Sequence, residues 1–375
     1  MRTIVGTLGV AVLTAGLVTT APAASAATAT GPLLAYPGVS ADRVEGLDAV
    51  DTATGRQWRI ADGAPYDASW SPDGGRIAWI SYGGDDLGRA HVAAADGSQR
   101  RDLDPDGDSR SLAWGPDGTL AWFHRPDWAP ADCTTDDRLV RPDLVLEAPD
   151  GTRRTAGTVA PTAGDLTFSP DGATVAWRER GADVCAASPA QLVVADVATG
   201  RQQVVAGAQD TAGLSFSSDS STVVLTRPTP EGGDLVLVDV ASRAARQVVT
   251  PGAGEGFAAA LPGGESVAVV RTTPTERRLV VVDRAGAVVR DLADPPEFVE
   301  QVLASGDGVS VVVAGRSLPS ADGAFQDTQV WRQPLDGSAA TLLSSTGRAG
   351  TFEAAVTARV SNAPVVERRE RGLRQ

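Results

Sequence analysis

Lysine is absent from the 375-residue chain, so all 33 basic residues are Arg, set against 47 Asp and Glu for a formal net charge of −14. A protein that works by displacing counterions from a duplex or an anionic membrane surface needs a basic face, so this balance argues against nucleic acid and anionic lipid as main partners. Histidine is scarce too. His91 and His124 are the only two, and neither has a Cys or His cluster beside it, so no zinc site is expected. The two cysteines, Cys133 and Cys185, lack the Cys-x-x-Cys spacing of a redox motif. No Gly-x-Ser-x-Gly elbow is present, which removes one common hydrolase pattern. The longest apolar stretch, Ile4 to Val18, is too short and too interrupted for a membrane helix of about 20 residues. It follows Arg2 and precedes Ala24-Ser25-Ala26, the pattern of a secretory signal peptide cleaved after Ala26. An extracellular chain with two Cys is expected to bridge them.

What is abundant is turn chemistry: 41 Gly and 24 Pro, residues that punctuate short elements instead of filling long helices. One segment recurs. Ser69-Trp70-Ser71-Pro72-Asp73-Gly74-Gly75-Arg76-Ile77-Ala78-Trp79 returns around Trp114 and Phe168, and in degenerate form around Phe216, Ala260 and Leu303, with anchors 43 to 54 residues apart. Each copy predicts a strand, a tight turn in which Pro presets φ and Gly supplies positive φ, and a second strand. A variable loop, an apolar third strand, a polar turn and a short fourth strand complete the unit. Four antiparallel strands per 40 to 55 residues make a β-propeller blade. Sorting the strands by type gives first strands near 66, 110, 164, 212, 256, 299 and 351, second near 33, 76, 119, 174, 222, 266 and 309, and seven each of the third and fourth types. The expectation is an all-β, seven-bladed propeller over residues 27–358, with six blades as the alternative. Phe352 to Val356 would pair with Leu33 to Tyr36 in a composite blade that removes a free sheet edge. The tail 359–375, charged and without apolar period, is expected to be disordered.

The Ser-Pro-Asp-Gly turn followed by an apolar-Ala-aromatic strand resembles the TolB-type, WD-repeat-like propellers. The resemblance implies the fold and a binding role. It departs from the family in blade number, since TolB propellers have six blades and an additional N-terminal domain.

The same-phase Trp79, Trp122 and Trp177 are expected in the core between blades, and Trp70 and Trp114 with them. Asp104-Pro105-Asp106-Gly107-Asp108 alternates carboxylates as a calcium loop does, but Gly115 stands where the bidentate Glu belongs, so a polar turn between blades is expected and no metal or other cofactor. Ala49 to Trp58 resembles the tryptophan-docking motif of quinoproteins but occurs once with its Trp, and Asp-x-x-Thr-Gly is a common turn.

The long loops between second and third strands and between successive blades share one face, the expected site face. Cys133 and Cys185 occupy equivalent loops of adjacent blades there, which makes a disulfide between them reasonable. Arg125, Arg180, Arg227, Arg271 and Arg316 recur at the end of the second strand, and with Trp128 and Phe325 they are the candidate contact residues. The competing reading of each Arg is an ion pair with a neighbouring acid. Function is expected to be non-catalytic binding of a protein, peptide or cell-envelope polymer by a secreted monomer. The alternative is a glycoside hydrolase or lyase that uses channel carboxylates.

Overall fold

The computed structural model describes residues 33–347, apart from 40–43, 52, 64, 82–87, 105–107, 126–140, 181–187, 231, 295–297, 306–307 and 317–326. These residues hold 27 strands in seven antiparallel sheets and no helix. The sheets are the seven blades of a β-propeller, at residues 33–62, 65–102, 108–158, 164–204, 212–248, 254–293 and 298–347. Six have four described strands in chain order. Blade 1 has three, Leu33–Val39, Glu45–Asp51 and Gln57–Asp62, in the second to fourth positions. The segment expected to supply its first strand, Phe352 to Val356, lies outside the described residues, as do the leader, the tail and both cysteines.

Seven hydrophobic clusters, one at each junction between neighbouring blades, hold the ring together. Period-2 alternation puts Ile77 and Trp79 on the side of blade 2 that meets Leu33, Ala35 and Leu47 of blade 1. Ala78 and Ile80 face blade 3, where they meet Leu112, Leu120 and Trp122. Trp177 does the same toward blade 3, with Phe123 edge-on to it at 5.9 Å between centroids. The expectation that the second-strand Trp residues pack between blades therefore holds. Leu34, Tyr36 and Val50 of blade 1 pack with Val312, Val330 and Leu343 of blade 7, and the Gln57 side-chain amide donates to the Leu343 carbonyl at 2.7 Å. That seventh junction closes the ring.

The repeated turns are explained by their own hydrogen bonds. In the Ser-Pro-Asp-Gly turn the Ser71 hydroxyl donates to Asp73 Oδ1 (2.6 Å) and accepts from the Arg76 amide (2.8 Å), while Asp73 also accepts from the Gly75 amide (3.0 Å). Ser169 with Asp171 and Ser217 with Asp219 repeat it. The Asp-x-x-Thr-Gly turn works similarly, Asp51 and Asp196 each accepting from the amide of the Thr three residues on. These second turns lean on the outer strand of the preceding blade: a Cβ on Gly200, at φ +71°, would lie 2.5 Å from the Ala156 carbonyl oxygen. The Trp58 indole donates to the Ala95 carbonyl in such a turn (2.8 Å), so this Trp serves to fasten one blade to the next.

The turn carboxylates carry an acid signature. The Ser217 hydroxyl, then the Ser221 amide and hydroxyl, lower the Asp219 carboxyl to about 2 from 3.8, and the Asp73 carboxyl is lowered by Ser71 and Gly75 in the same way. A depressed folded-state value stabilises above the unfolded value and is lost as pH falls through the folded one. The melting temperature is therefore expected to drop between about pH 4 and 2. In Asp219→Asn that acid-side drop should be smaller, by a modest amount because the side chain is half exposed.

Candidate functional site

In blades 2 to 7 the first strands neighbour one another around the axis, and each second strand runs back antiparallel to the face of the long loops. Arg125 ends the second strand of blade 3 and lies opposite Asp108, which opens the first. Its Nη2 donates to Asp108 Oδ2 at 2.8 Å, and the residues are 3% and 2% exposed. A buried cross-strand ion pair uses the guanidinium internally. Arg271 stands in the same relation to Glu255, donating through Nε at 2.9 Å and adding the Gly286 carbonyl at 2.8 Å. Arg227 donates to the Gly207 carbonyl (2.7 Å), the Gln209 carbonyl (3.3 Å) and Gln247 Oε1 (2.6 Å), fastening the connection that enters its blade. Arg180 is exposed, with its backbone amide on Thr162 Oγ1. Arg316 ends a second strand in blade 7, and its side chain is outside the described ones. Trp128 and Phe325 also lie outside them. The recurrent Arg residues thus share a phase, and three of them have partners within the protein. Those of blades 3, 5 and 6 fasten their own blades.

Blades 2 and 3 concentrate the remaining polar chemistry. Ser81, His91 and Asp102 lie on three successive strands, with Ser81 Oγ 2.8 Å from His91 Nε2 and His91 Nδ1 2.7 Å from Asp102 Oδ1. The order is that of a hydrolytic relay. The surroundings are not: His91 is 0% exposed, Ser81 is 6% exposed, and Arg100 Nη2 sits 3.1 and 3.2 Å from the ring nitrogens. A nucleophile enclosed to that degree has no room for a substrate carbonyl, so the relay satisfies buried polar groups within one blade.

Two residues on, buried Asp104 accepts from the Ser109 hydroxyl (2.8 Å) and the Trp122 indole, with His124 Nδ1 at 3.1 Å and Arg153 Nη1 at 3.8 Å. Asp104 is thus filled by protein donors and Asp108 Oδ2 takes Arg125, while residues 105–107 between them lie outside the described residues. Among the described residues no group of three or more His, Cys, Asp or Glu is placed to hold a metal ion. The hydrogen bond and charge of Asp104 raise His124 above 6.5 against burial and Arg153, which act the other way. A raised folded-state value stabilises fully below the unfolded value and is lost as pH rises through the folded one. The melting-temperature gap between wild type and His124→Asn is therefore expected to be wider at pH 5.5 than at pH 8.5.

One feature of the first strands was missed by sequence reasoning. All six described first strands carry a register shift three or so residues before the anchor. In blades 3 to 6 the bulged residue is left-handed: Ser111 at φ +43°, Asp165 at +58°, Gly213 at +67° and Phe257 at +52°. Asp67 and Ser111 use the bulge to accept the amides of Leu112 (3.1 Å) and Leu166 (2.9 Å) in the next blade, linking the first strands around the axis. Asp165 instead pairs with Arg178, whose Nη1 donates to the Thr211 carbonyl. Phe257 does neither. It is 38% exposed, with Arg277 Cζ 6.0 Å from its ring centroid. The signal was available in the repeat alignment, where Asp, Ser, Asp and Gly at this phase give way to Phe.

No family model matches the chain, and a search of curated proteins finds no match. Among solved structures the chain is similar to puromycin hydrolase, at 18% identity and a TM-score of 0.61 over 85% of this chain and 53% of that one. It is also similar to the β-propeller domain of the trilobed protease from Pyrococcus furiosus, at 13% identity and 0.59 over 85% and 98%. TolB from Acinetobacter baumannii is a further neighbour, at 16% identity and 0.49 over 88% and 83%. The shared fold is the β-propeller. This propeller spans about half the length of puromycin hydrolase, and at these identities the likeness concerns the fold alone.

Proposed function

We propose that this chain is a secreted, non-catalytic propeller that binds a protein, peptide or cell-envelope polymer on its long-loop face. The observation that carries the reading is the asymmetry between the faces. Ser71, Asp73, Ser169, Asp171, Ser217 and Asp219 on the turn face are consumed by hydrogen bonds within their own turns. The loop face holds the long connections, exposed Arg180 and the Phe257 ring beside Arg277. Aromatic and Arg anchors carry most binding energy in interfaces. The hydrolase alternative needs acids free for acid–base work, whereas the first-strand acids of blades 2, 3, 4 and 6 are engaged: Asp67 with Leu112, Asp108 with Arg125, Asp165 with Arg178 and Glu255 with Arg271.

Co-sedimentation of the purified protein with insoluble cell-wall polymer, and capture of envelope proteins from culture fractions, test the reading. Trp128→Ala and Arg180→Ala are expected to weaken capture several-fold with little change in melting temperature, whereas Asp73→Ala lowers only stability. Loss of capture in Asp73→Ala with both loop-face variants silent would place function on the opposite face.

A further inference from the structure

The left-handed position of the first-strand bulge is filled by Ser111, Asp165 and Gly213 in blades 3 to 5, and by Phe257 in blade 6. Gly and Asp visit this conformation readily, whereas a bulky side chain there is an outlier, because its Cβ crowds the following carbonyl. Burial does not compensate the strain, since Phe257 is 38% exposed on a strand beside the axis. Gly213 shows that the fold accepts a strain-free residue at this place. Backbone strain held on an exposed aromatic marks a functional position more than a structural one. Arg277, itself engaged within the protein, backs the ring with its Cζ 6.0 Å from the centroid, so what Phe257 offers is an uncharged platform.

The residue after the bulge supplies a polar contact. Leu112 and Leu166 hold this place in blades 3 and 4, and their amides are capped from the preceding blade by Asp67 Oδ2 (3.1 Å) and Ser111 Oγ (2.9 Å). In blade 6 the residue is Ala258, and the position that would cap its amide is Gly213, which has no side chain. A Cβ on Gly213 would meet nothing within 4 Å, so the space of the missing cap is open. Asp67 and Ser111 show what fits such a space, an oxygen acceptor. A peptide strand laid along the inner edge of blade 6 is disfavoured, because the next amide in phase, that of Ala260, is taken by Ser215 Oγ at 3.1 Å. A carboxylate is disfavoured by Glu255 on the same strand and by the net charge of −14. An uncharged carbonyl carried beside a flat C–H face meets both demands, and consecutive residues about 3.8 Å apart bring ring and amide within the span of one sugar unit.

We infer that Phe257 and the Ala258 amide form a subsite for an N-acetylated sugar, with the pyranose C–H face on the ring and the acetamido oxygen accepting from the amide. The inference rests on the envelope-polymer reading for its ligand class and adds a contact beside the axis. Isothermal titration of the full chain with tri-N-acetylchitotriose, and with cellotriose, which carries hydroxyls in place of the acetamido groups, tests it. The acetylated sugar is expected to bind about tenfold more tightly, the worth of one good hydrogen bond. Phe257→Asn, which keeps a residue tolerant of the left-handed conformation, should cut that affinity about tenfold with the melting temperature unchanged or raised. Gly213→Ser, which copies Ser111 of blade 3, should bring the acetylated sugar down to the level of cellotriose by capping the Ala258 amide from within. Equal binding of the two sugars, binding of neither, or full affinity in either variant would overturn the inference. Capture of cell-wall polymer that responds to Arg180→Ala but to neither Phe257→Asn nor Gly213→Ser would remove this subsite while leaving the loop-face reading standing.

Discussion

Arg125→Met is expected to lower the unfolding free energy by about 3–5 kcal/mol, because removing one partner of a buried pair strands the other charge. Asp108 is as buried as its partner, so solvent screening takes little from that figure. One Asp108 oxygen already has no hydrogen-bond partner, and the Arg110 Nε at 3.4 Å is a weak substitute for the lost donor. The double variant Asp108→Asn, Arg125→Met should recover much of the loss, since an uncharged pair of similar volume avoids the desolvation cost. Urea unfolding of the two variants and wild type measures the cycle. The sequence reading placed Arg125 among the ligand contacts, and on that reading Arg125→Met would weaken ligand capture at unchanged stability. The two outcomes are opposite in both observables.

The case of Arg125 shows what a sequence carries and what it withholds. Strand starts are local facts. Second strands expected near 76, 174, 222 and 266 begin at Arg76, Thr174, Thr222 and Ser266, because a local turn precedes each: Pro-Asp-Gly before the first two, Asp219 bonded to Ser217 and Ser221 before the third, and Pro-Gly-Gly before the fourth. The degenerate copies remained legible since the alternation of buried residues survives when the Trp does not, as in Val267 and Val269 against Ala268 and Val270. Blade number followed from those starts, and the seven junction clusters agree with it. Partners are not local facts. The Arg phase was visible, but that Asp108 and Glu255 lie directly across from Arg125 and Arg271 depends on pairing register, which a bulge shifts. Phe257 was overlooked for a different reason: its strain exists only because the bulge turns its backbone, and hydrophobic pattern alone files a Phe in a strand as core.

Leu34→Ala is expected to cost about 2–5 kcal/mol, the range for removing a fully buried large aliphatic side chain from a packed junction. Leu34 belongs to the cluster where the first described strand meets the last blade, and its neighbours Val312, Val330 and Leu343 are contributed from the far end of the chain. A closed ring treats that junction like any other. Leu225→Ala, from the fully buried centre of the junction between blades 4 and 5, should therefore destabilise by a similar amount in the same unfolding experiment. An open ring would unzip at its terminal junction first, and Leu34→Ala would then cost far less than Leu225→Ala. The same measurement bears on the C-terminal segment. If Phe352 to Val356 completes blade 1 as the strand count proposes, deleting 350–375 should magnify the effect of Leu34→Ala, because the missing first strand is the one that would hold Leu33 to Tyr36 in place. Deleting only 367–375 should leave both the stability and the Leu34→Ala cost unchanged, and equal behaviour of the two truncations would refute that closure.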